Sequence, residues 1–194
     1  MTPFTTIMGR AAVLERANID TDQIIPARFL RKPRGDGYNN FLFHDARAAD
    51  PGFPLRSVDN PPIIIAGANF GCGSSREGAV YALVDAGVRC VLATSFGDIF
   101  AGNAGKNGML TIVLPPDEHA TVLHAARQAS QFTVDLAEQT ICFGHHVLSF
   151  KVDTFLKRCL TGGLDDIGLT LDETASIAAF EAADAKRRPW SIPN

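Results

Sequence analysis

The clearest hydrophobic pattern in the chain is Ile63-Ile64-Ile65-Ala66, four apolar residues with no polar alternation. Such a β-branched run predicts a strand buried on both faces, as in a parallel sheet covered by helices. A glycine-rich turn follows. Residues 77–86 then place Ala79, Leu83 and Ala86 on one stripe with Val80 and Val84 beside it, a helical spacing that Gly87 ends as a C′ residue. The same reading predicts a strand over 88–93, a short helix over 96–104, a strand over 110–114 and a helix opened by Pro116 and running to about residue 129. This β-α-β-α-β-α order implies parallel strands joined by crossover helices.

The flanking regions read differently. Residues 13–16 form a short predicted strand. The stretch 31–40 is rich in Gly, Pro and Arg and reads as a mobile loop, and 50–62, with prolines at 51, 54, 61 and 62, is a second irregular connection. Together, 31–62 is expected to be partly disordered without a partner. Downstream, 132–136, 139–143 and 146–150 are close-spaced strands, which suggests antiparallel hairpins. Residues 153–160 predict a helix capped by Thr161-Gly162-Gly163. Thr170, with Glu173 three residues on, predicts a capping box opening a final amphipathic helix to about residue 186. The tail 187–194 is expected to be loose. The whole, 1–194, reads as one α/β domain with a mixed sheet and a parallel core.

Composition narrows the function. Hydrophobic residues make up 46% and charged residues 20%, ordinary values for a globular chain. The net charge of −3 leaves no basic excess for a phosphate backbone, which argues against a nucleic-acid partner. No apolar run approaches the roughly 20 residues of a membrane span. No basic flank precedes an apolar stretch at the N-terminus, so a cytoplasmic location is expected. Cys72, Cys90, Cys142 and Cys159 form no Cys-x-x-Cys pair, so no zinc or iron–sulfur site is expected from this chain alone. Cys90 lies in an apolar run and suits a small buried hydrophobe. His145 and His146 would face opposite sides of a strand, and His119 and His124 are five apart on a helix. These four suit surface or structural roles, and His44 stays open.

The candidate chemistry sits in Gly71-Cys72-Gly73-Ser74-Ser75-Arg76-Glu77, where a buried strand feeds a glycine turn and then a helix. The first N–H groups of a helix have no internal partner and carry partial positive charge. Glycines let backbone approach a ligand closely. Such a corner binds anions. Arg76 adds a planar fork suited to a carboxylate, and Ser74 and Ser75 add hydroxyls. Nucleotide patterns fail: Ala79-Val80 follows Gly78 where a phosphate-binding loop needs Lys-Ser/Thr, and Arg76 stands where the dinucleotide pattern needs a third glycine. The hydrolase elbow fails at Glu77. A small carboxylate remains the best fit. The same residues also fit a capped helix that binds nothing, with Ser74 or Ser75 as N-cap, and pattern alone leaves both readings open.

That segment resembles the Gly-x-Gly-Ser-Ser-Arg-Glu signature of the aconitase superfamily. Asn18-Ile19-Asp20-Thr21-Asp22-Gln23-Ile24-Ile25-Pro26 resembles the signature of its swivelling domain. Ser95-Phe96-Gly97-Asp98-Ile99-Phe100-Ala101-Gly102-Asn103 and Gly163-Leu164-Asp165-Asp166-Ile167-Gly168-Leu169-Thr170-Leu171 are similar to bacterial isopropylmalate isomerase small subunits. The resemblance runs in order along nearly the whole chain. It implies a three-layer β/β/α swivelling domain. It also implies a hydro-lyase that isomerises 2-isopropylmalate and 3-isopropylmalate by dehydration and rehydration in leucine biosynthesis, active only with a large subunit. No cofactor is then bound by this chain, and a [4Fe–4S] cluster in the large subunit takes the substrate hydroxyl and carboxylate. The family pattern assigns catalysis to Ser74 as base and to Arg76 as carboxylate holder. Ser75, Gly73, Cys72 and a loop arginine, Arg34, would bind substrate, with Arg28 and Arg31 as weaker choices. Asp20 and Asp22 would orient their neighbours. The pattern breaks at Gly78, where the family has histidine, at the 34–40 loop, at Ala46 in place of a common tryptophan, and at 103–108. These departures keep open another 2-hydroxy di- or tricarboxylate of the citramalate or methylmalate type, or a non-catalytic carboxylate-binding or assembly module.

Overall fold

The structure, a computed structural model, describes residues 1–56 and 60–191. One seven-stranded sheet organises it, in the order β4-β3-β2-β1-β5-β6-β7. Strands β1 (Thr6–Leu14), β2 (Ile63–Ala66), β3 (Cys90–Ala93) and β4 (Leu110–Val113) run parallel. Strands β5 (Gln131–Asp135), β6 (Thr140–Phe143) and β7 (His146–Ser149) continue antiparallel from the other side of β1. The predicted parallel core over 63–114 is therefore extended by β1. That strand is longer than the predicted 13–16 and is the hinge between the parallel and antiparallel halves.

The continuous apolar run of β2 is explained by two cores. Ile64 and Ala66 face one, with Ala12, Leu14, Val91 and Ala93. Ile63 and Ile65 face the other, with Leu92, Leu110 and Ile112. This is the two-residue alternation of a strand with both faces covered. Burying each isoleucine contributes about 1.5–3 kcal/mol. Helices α3 (Glu77–Asp85) and α4 (Asp98–Lys106) cover the first face together with α1 (Thr21–Ile24) and α2 (His44–Ala49). On the second face lie α5 (Pro116–Arg127) and α6 (Thr154–Gly162). The antiparallel strands curl there so that Phe132, Val134, Ile141 and Phe143 share the core of Ile63 and Ile65. Helix, sheet and curled sheet give the expected layering.

Most predicted elements stand within a few residues of their expected ends, and Gly87 takes positive φ after α3 as a C-terminal turn requires. Two regions differ. The 31–40 stretch is not an open loop: it holds one 3-10 turn at Arg34–Asp36 and the start of another, Tyr38–Phe41, because Tyr38 inserts its ring against α3 and donates its hydroxyl to the Lys32 carbonyl at 3.1 Å. With α2 following, most of 31–56 is folded, and 57–59 lie outside the described residues. The C-terminal helix also begins earlier and breaks in two. Asp165 caps α7 (Asp166–Asp172) by accepting from the Gly168 N–H at 2.8 Å, and α8 (Thr174–Arg187) follows after Glu173. The capping box on Thr170 does not form. Its hydroxyl donates back to the Asp166 carbonyl at 3.0 Å, inside α7. In the tail, Pro189–Ser191 makes a 3-10 turn, and 192–194 lie outside the described residues.

Candidate active site

The loops leaving the C-terminal ends of β1, β2 and β3 meet at one corner, the usual place for a ligand in a parallel sheet. Gly71 N–H donates to the Ile19 carbonyl at 2.8 Å and Thr21 N–H to the Cys72 carbonyl at 2.9 Å, so the segment after β1 is stitched to the glycine turn after β2. From the loop after β3, Gly97 N–H donates to the Phe70 carbonyl at 2.9 Å, and Ser95 Oγ accepts the Asn69 N–H at 2.8 Å. Asn69 and Asn18, both at positive φ, tie the first two loops through a 2.8 Å side-chain bond.

Gly71 fixes how tightly the corner closes. Its φ is +73°, and a Cβ there would stand 2.2 Å from Phe100 Cγ. The ring of Phe100 packs edge-on to Phe70, with centroids 5.3 Å apart, and anchors the start of α4 beneath the turn. Only glycine combines the left-handed backbone with that approach.

The turn leaves several of its hydrogen-bonding groups unengaged among the described residues. Helix α3 begins at Glu77 with Arg76 as its N-cap, and no side chain caps it. Neither Ser74 nor Ser75 is the N-cap, so the bland role open to them in the sequence is not the one they take. Both are exposed, and neither hydroxyl bonds to another described residue. The backbone N–H groups of residues 72–76 find no acceptor among the described residues either. A group seated here would meet two unengaged hydroxyls, a run of unengaged amides and the positive end of a helix.

The Asp-Thr-Asp segment lies directly against this turn. Asp20 caps α1 by accepting the Gln23 N–H at 2.7 Å. Asp22 forms an ion pair with Nη1 of the half-buried Arg76, which ties the guanidinium to the Asp-Thr-Asp segment. Thr21, only 2% exposed, donates its hydroxyl to the Ser74 carbonyl at 3.0 Å. Thr21 carries no signal as a site residue in the sequence beyond its place between two aspartates; its hydroxyl matters because it fixes the Ser74 peptide. His119 is buried, and its Nε2 lies 2.7 Å from the Ala66 carbonyl where β2 ends, a structural role.

Arg34 is not brought to the corner. Its Nε bonds Asp85 at 3.1 and 3.2 Å and its NH2 at 2.6 Å, and its guanidinium lies 4.2 Å from the centre of the Tyr81 ring. Asp85 ends α3, roughly 12 Å along the axis from Glu77 at 1.5 Å per residue. The Asp85 hydrogen bond holds the Arg34 guanidinium above its ordinary pKa, and burial raises the Tyr81 phenol. A cavity of about 570 Å³ is lined by Arg34, Glu77 and Arg89 but not by Ser74. Arg28, the weaker choice, pairs with Asp45.

Gly78 has a local explanation. A Cβ at this position would stand 2.6 Å from Leu30 Cδ2 and 3.5 Å from Tyr38 Cε2, so the 27–41 segment occupies the space that a larger side chain would take. We expect Gly78→His to lower stability by about 1–3 kcal/mol through overpacking. A thermal melt should show recovery of most of that loss in Gly78→His/Leu30→Ala. Equal melting of wild type and Gly78→His would mean that Leu30 does not set the limit.

The cysteines stand apart: Cys90 and Cys159 are buried, and burial pushes the Cys90 thiol far up. Among the described residues no group of three His, Cys, Asp or Glu side chains could hold a metal ion, so those residues do not fit an iron–sulfur cluster. No helix among them is long and apolar enough to cross a membrane.

Comparison with known proteins gives a consistent picture. Residues 1–117 match the aconitase C-terminal domain model, and residues 166–191 match the model for the C-terminal domain of the 3-isopropylmalate dehydratase small subunit. The chain is 47% identical to a 3-isopropylmalate dehydratase small subunit of Jannaschia sp. (strain CCS1), over 98% of this chain and 100% of that one. It is 46% identical to the corresponding protein of Cereibacter sphaeroides (strain ATCC 17029 / ATH 2.4.9), with the same coverage. A crystal structure of 3-isopropylmalate dehydratase from Methanocaldococcus jannaschii superposes with a TM-score of 0.69 at 29% identity, covering 91% of this chain and 99% of the other.

Proposed function

From the premise that the chain belongs to the 3-isopropylmalate dehydratase small-subunit family of the aconitase superfamily, we propose that it is the small half of a two-subunit hydro-lyase interconverting 2-isopropylmalate and 3-isopropylmalate in leucine biosynthesis. The observation that carries this reading is the corner itself: Ser74 and Ser75 hydroxyls and amides at 72–76 that no described residue engages, with Arg76 held beside them by Asp22.

The chemistry follows from that arrangement. Elimination of water requires a base that removes a proton from the carbon next to the hydroxyl-bearing carbon. A serine hydroxyl ionises far above neutral pH, so Ser74 needs its alkoxide stabilised. The positive end of α3, the adjacent N–H groups and the Arg76 guanidinium supply that stabilisation. Thr21 holds the Ser74 peptide while the side chain works. Arg76 takes a substrate carboxylate with the donors that Asp22 leaves available. Ser75, with the backbone of Gly73 and Cys72, hydrogen-bonds the substrate or the anionic intermediate. As the proton leaves, the C–H electron pair forms the C=C bond and the hydroxyl departs, a departure that the partner's iron–sulfur cluster would assist as a Lewis acid. On rehydration hydroxide adds at the carbon that lost the proton, and Ser74 returns its proton to the carbon that lost the hydroxyl. Arg34 joins the substrate only if its bonds to Asp85 open.

We assign the [4Fe–4S] cluster to the large partner, a reading supported by the lack of a ligand set for it among the described residues. Four free cysteines and an iron–sulfur partner suit the reducing cytoplasm. Reconstitution with the large subunit, followed by dehydration assays on 2-isopropylmalate, 3-isopropylmalate and citramalate, tests the reading. We expect turnover of both isopropylmalates. Turnover of citramalate alone, with the cluster intact, would replace the substrate and keep the reaction class; no turnover of any of the three would leave a carboxylate-binding module.

A further inference from the structure

The C-terminal helices α7 and α8 carry large apolar side chains that face solvent. No residue of α7 or α8 is buried. Ile167 is 70% exposed, Leu171 65%, Phe180 62% and Trp190 79%. A helix of this length is marginal in water unless its apolar face packs against something, and large apolar side chains gathered on one exposed segment mark an interaction surface.

The surface does not end at the arm. A groove of about 210 Å³ runs between α4 and α6, with Gly102 and Gly105 on one wall, Phe155 and Leu156 on the other, and Leu169 of α7 beside them. Phe155 is itself 59% exposed, as is Ile99 at 54%, one turn before Gly102 on α4. Helix α4 starts at the corner, where the Gly97 backbone lies against Gly71 and Cys72. An apolar strip thus leads from the rim of the catalytic turn, along α4 and the groove, to α7 and α8.

We propose that this strip, from Ile99 through Phe155 to the α7–α8 arm, is the docking surface for the large, cluster-bearing subunit. The inference rests on the reading of this chain as the small half of a two-subunit dehydratase. Two observations select that occupant over a second copy of this chain. The strip is continuous with the corner, and an open half-site there must face the subunit that completes it. The arm is also the segment matched by a model described as the small subunit's own C-terminal domain, whereas the corner is matched by the general aconitase C-terminal domain. The arm is thus the part of the chain matched by a model named for the separate small subunit.

The test uses the full-length small subunit and purified large subunit, with association measured by calorimetry. The variants are Leu171→Asp/Phe180→Asp on the arm and, as a control of similar exposure off the strip, Val147→Asp on the outermost strand. All altered residues are exposed, so melting temperatures should match wild type. The arm variant is expected to bind the large subunit about tenfold or more weakly, with kcat recovered at saturating large subunit, and the control to bind normally. Equal affinity of the arm variant and wild type would overturn the inference. So would a change in self-association of the small subunit with unchanged affinity for the large one. Failure of wild type itself to bind the large subunit would instead remove the two-subunit reading beneath it.

Discussion

Ser74→Ala should lower kcat of the reconstituted complex by about 10²–10⁴-fold, the usual contribution of a positioned proton-transfer group. The substrate KM should change only a few-fold, because Arg76, Ser75 and the amides still hold the carboxylates. Stability should not change. Ser74 is exposed and its hydroxyl bonds to nothing among the described residues, while its carbonyl, which Thr21 grips, survives the substitution. A melting curve matching wild type, beside a collapsed kcat, separates loss of the base from loss of the fold. Near-wild-type turnover would remove Ser74 from the mechanism. Ser75→Ala is the useful comparison, since a residue that binds rather than abstracts should show its effect first in KM.

Gly71→Ala carries the largest expected effect on stability. The alanine must adopt φ near +73°, which costs roughly 1–2 kcal/mol, and its Cβ must share space with the Phe100 ring, which costs about 1–3 kcal/mol more. For a chain of this size the sum corresponds to a melting temperature lower by on the order of 10 °C. The ring cannot simply step aside, because Phe70 and Phe96 pack against it with centroids at 5.3 and 6.5 Å. Relief would come by lifting the turn, which breaks the Gly71–Ile19 hydrogen bond and displaces Ser74. Activity should therefore fall together with stability, the opposite signature to Ser74→Ala. A melt within a degree or two of wild type would mean that the turn has slack the structure does not show.

Much of this architecture was legible in the residues. The Ile63–Ala66 run, the helical stripe before Gly87 and the alternation after residue 131 report burial directly, because which face of an element is covered depends on nearest-neighbour periodicity. The corner was legible for the same reason: glycines, serines and an arginine between a strand and a helix sit together in the chain before they sit together in space. The C-terminal helices were harder. Thr170 and Glu173 carry the spacing of a capping box, yet Asp165 supplies a cap five residues earlier and the real break falls at Glu173. Local signals compete there, and no residue of α7 or α8 is buried firmly enough for tertiary packing to arbitrate.

By itself, then, the sequence determined the order of elements, the glycine turn between strand and helix and, through its collinear motifs, the family and reaction class. Only the tertiary structure decided which residues share the site. It set Thr21 under Ser74 and Asp22 against Arg76 because β1 and β2 are neighbours in the sheet although some 50 residues separate the paired groups. It held Arg34 on Asp85 and Tyr81, gave the space beside Gly78 to Leu30, and left large apolar side chains of the arm facing solvent. The physical reason is one of range. Periodicity and turn chemistry act over a few residues, whereas the choice of a partner for a charge or of a neighbour for a cavity depends on which distant segments the sheet order brings within a few ångströms.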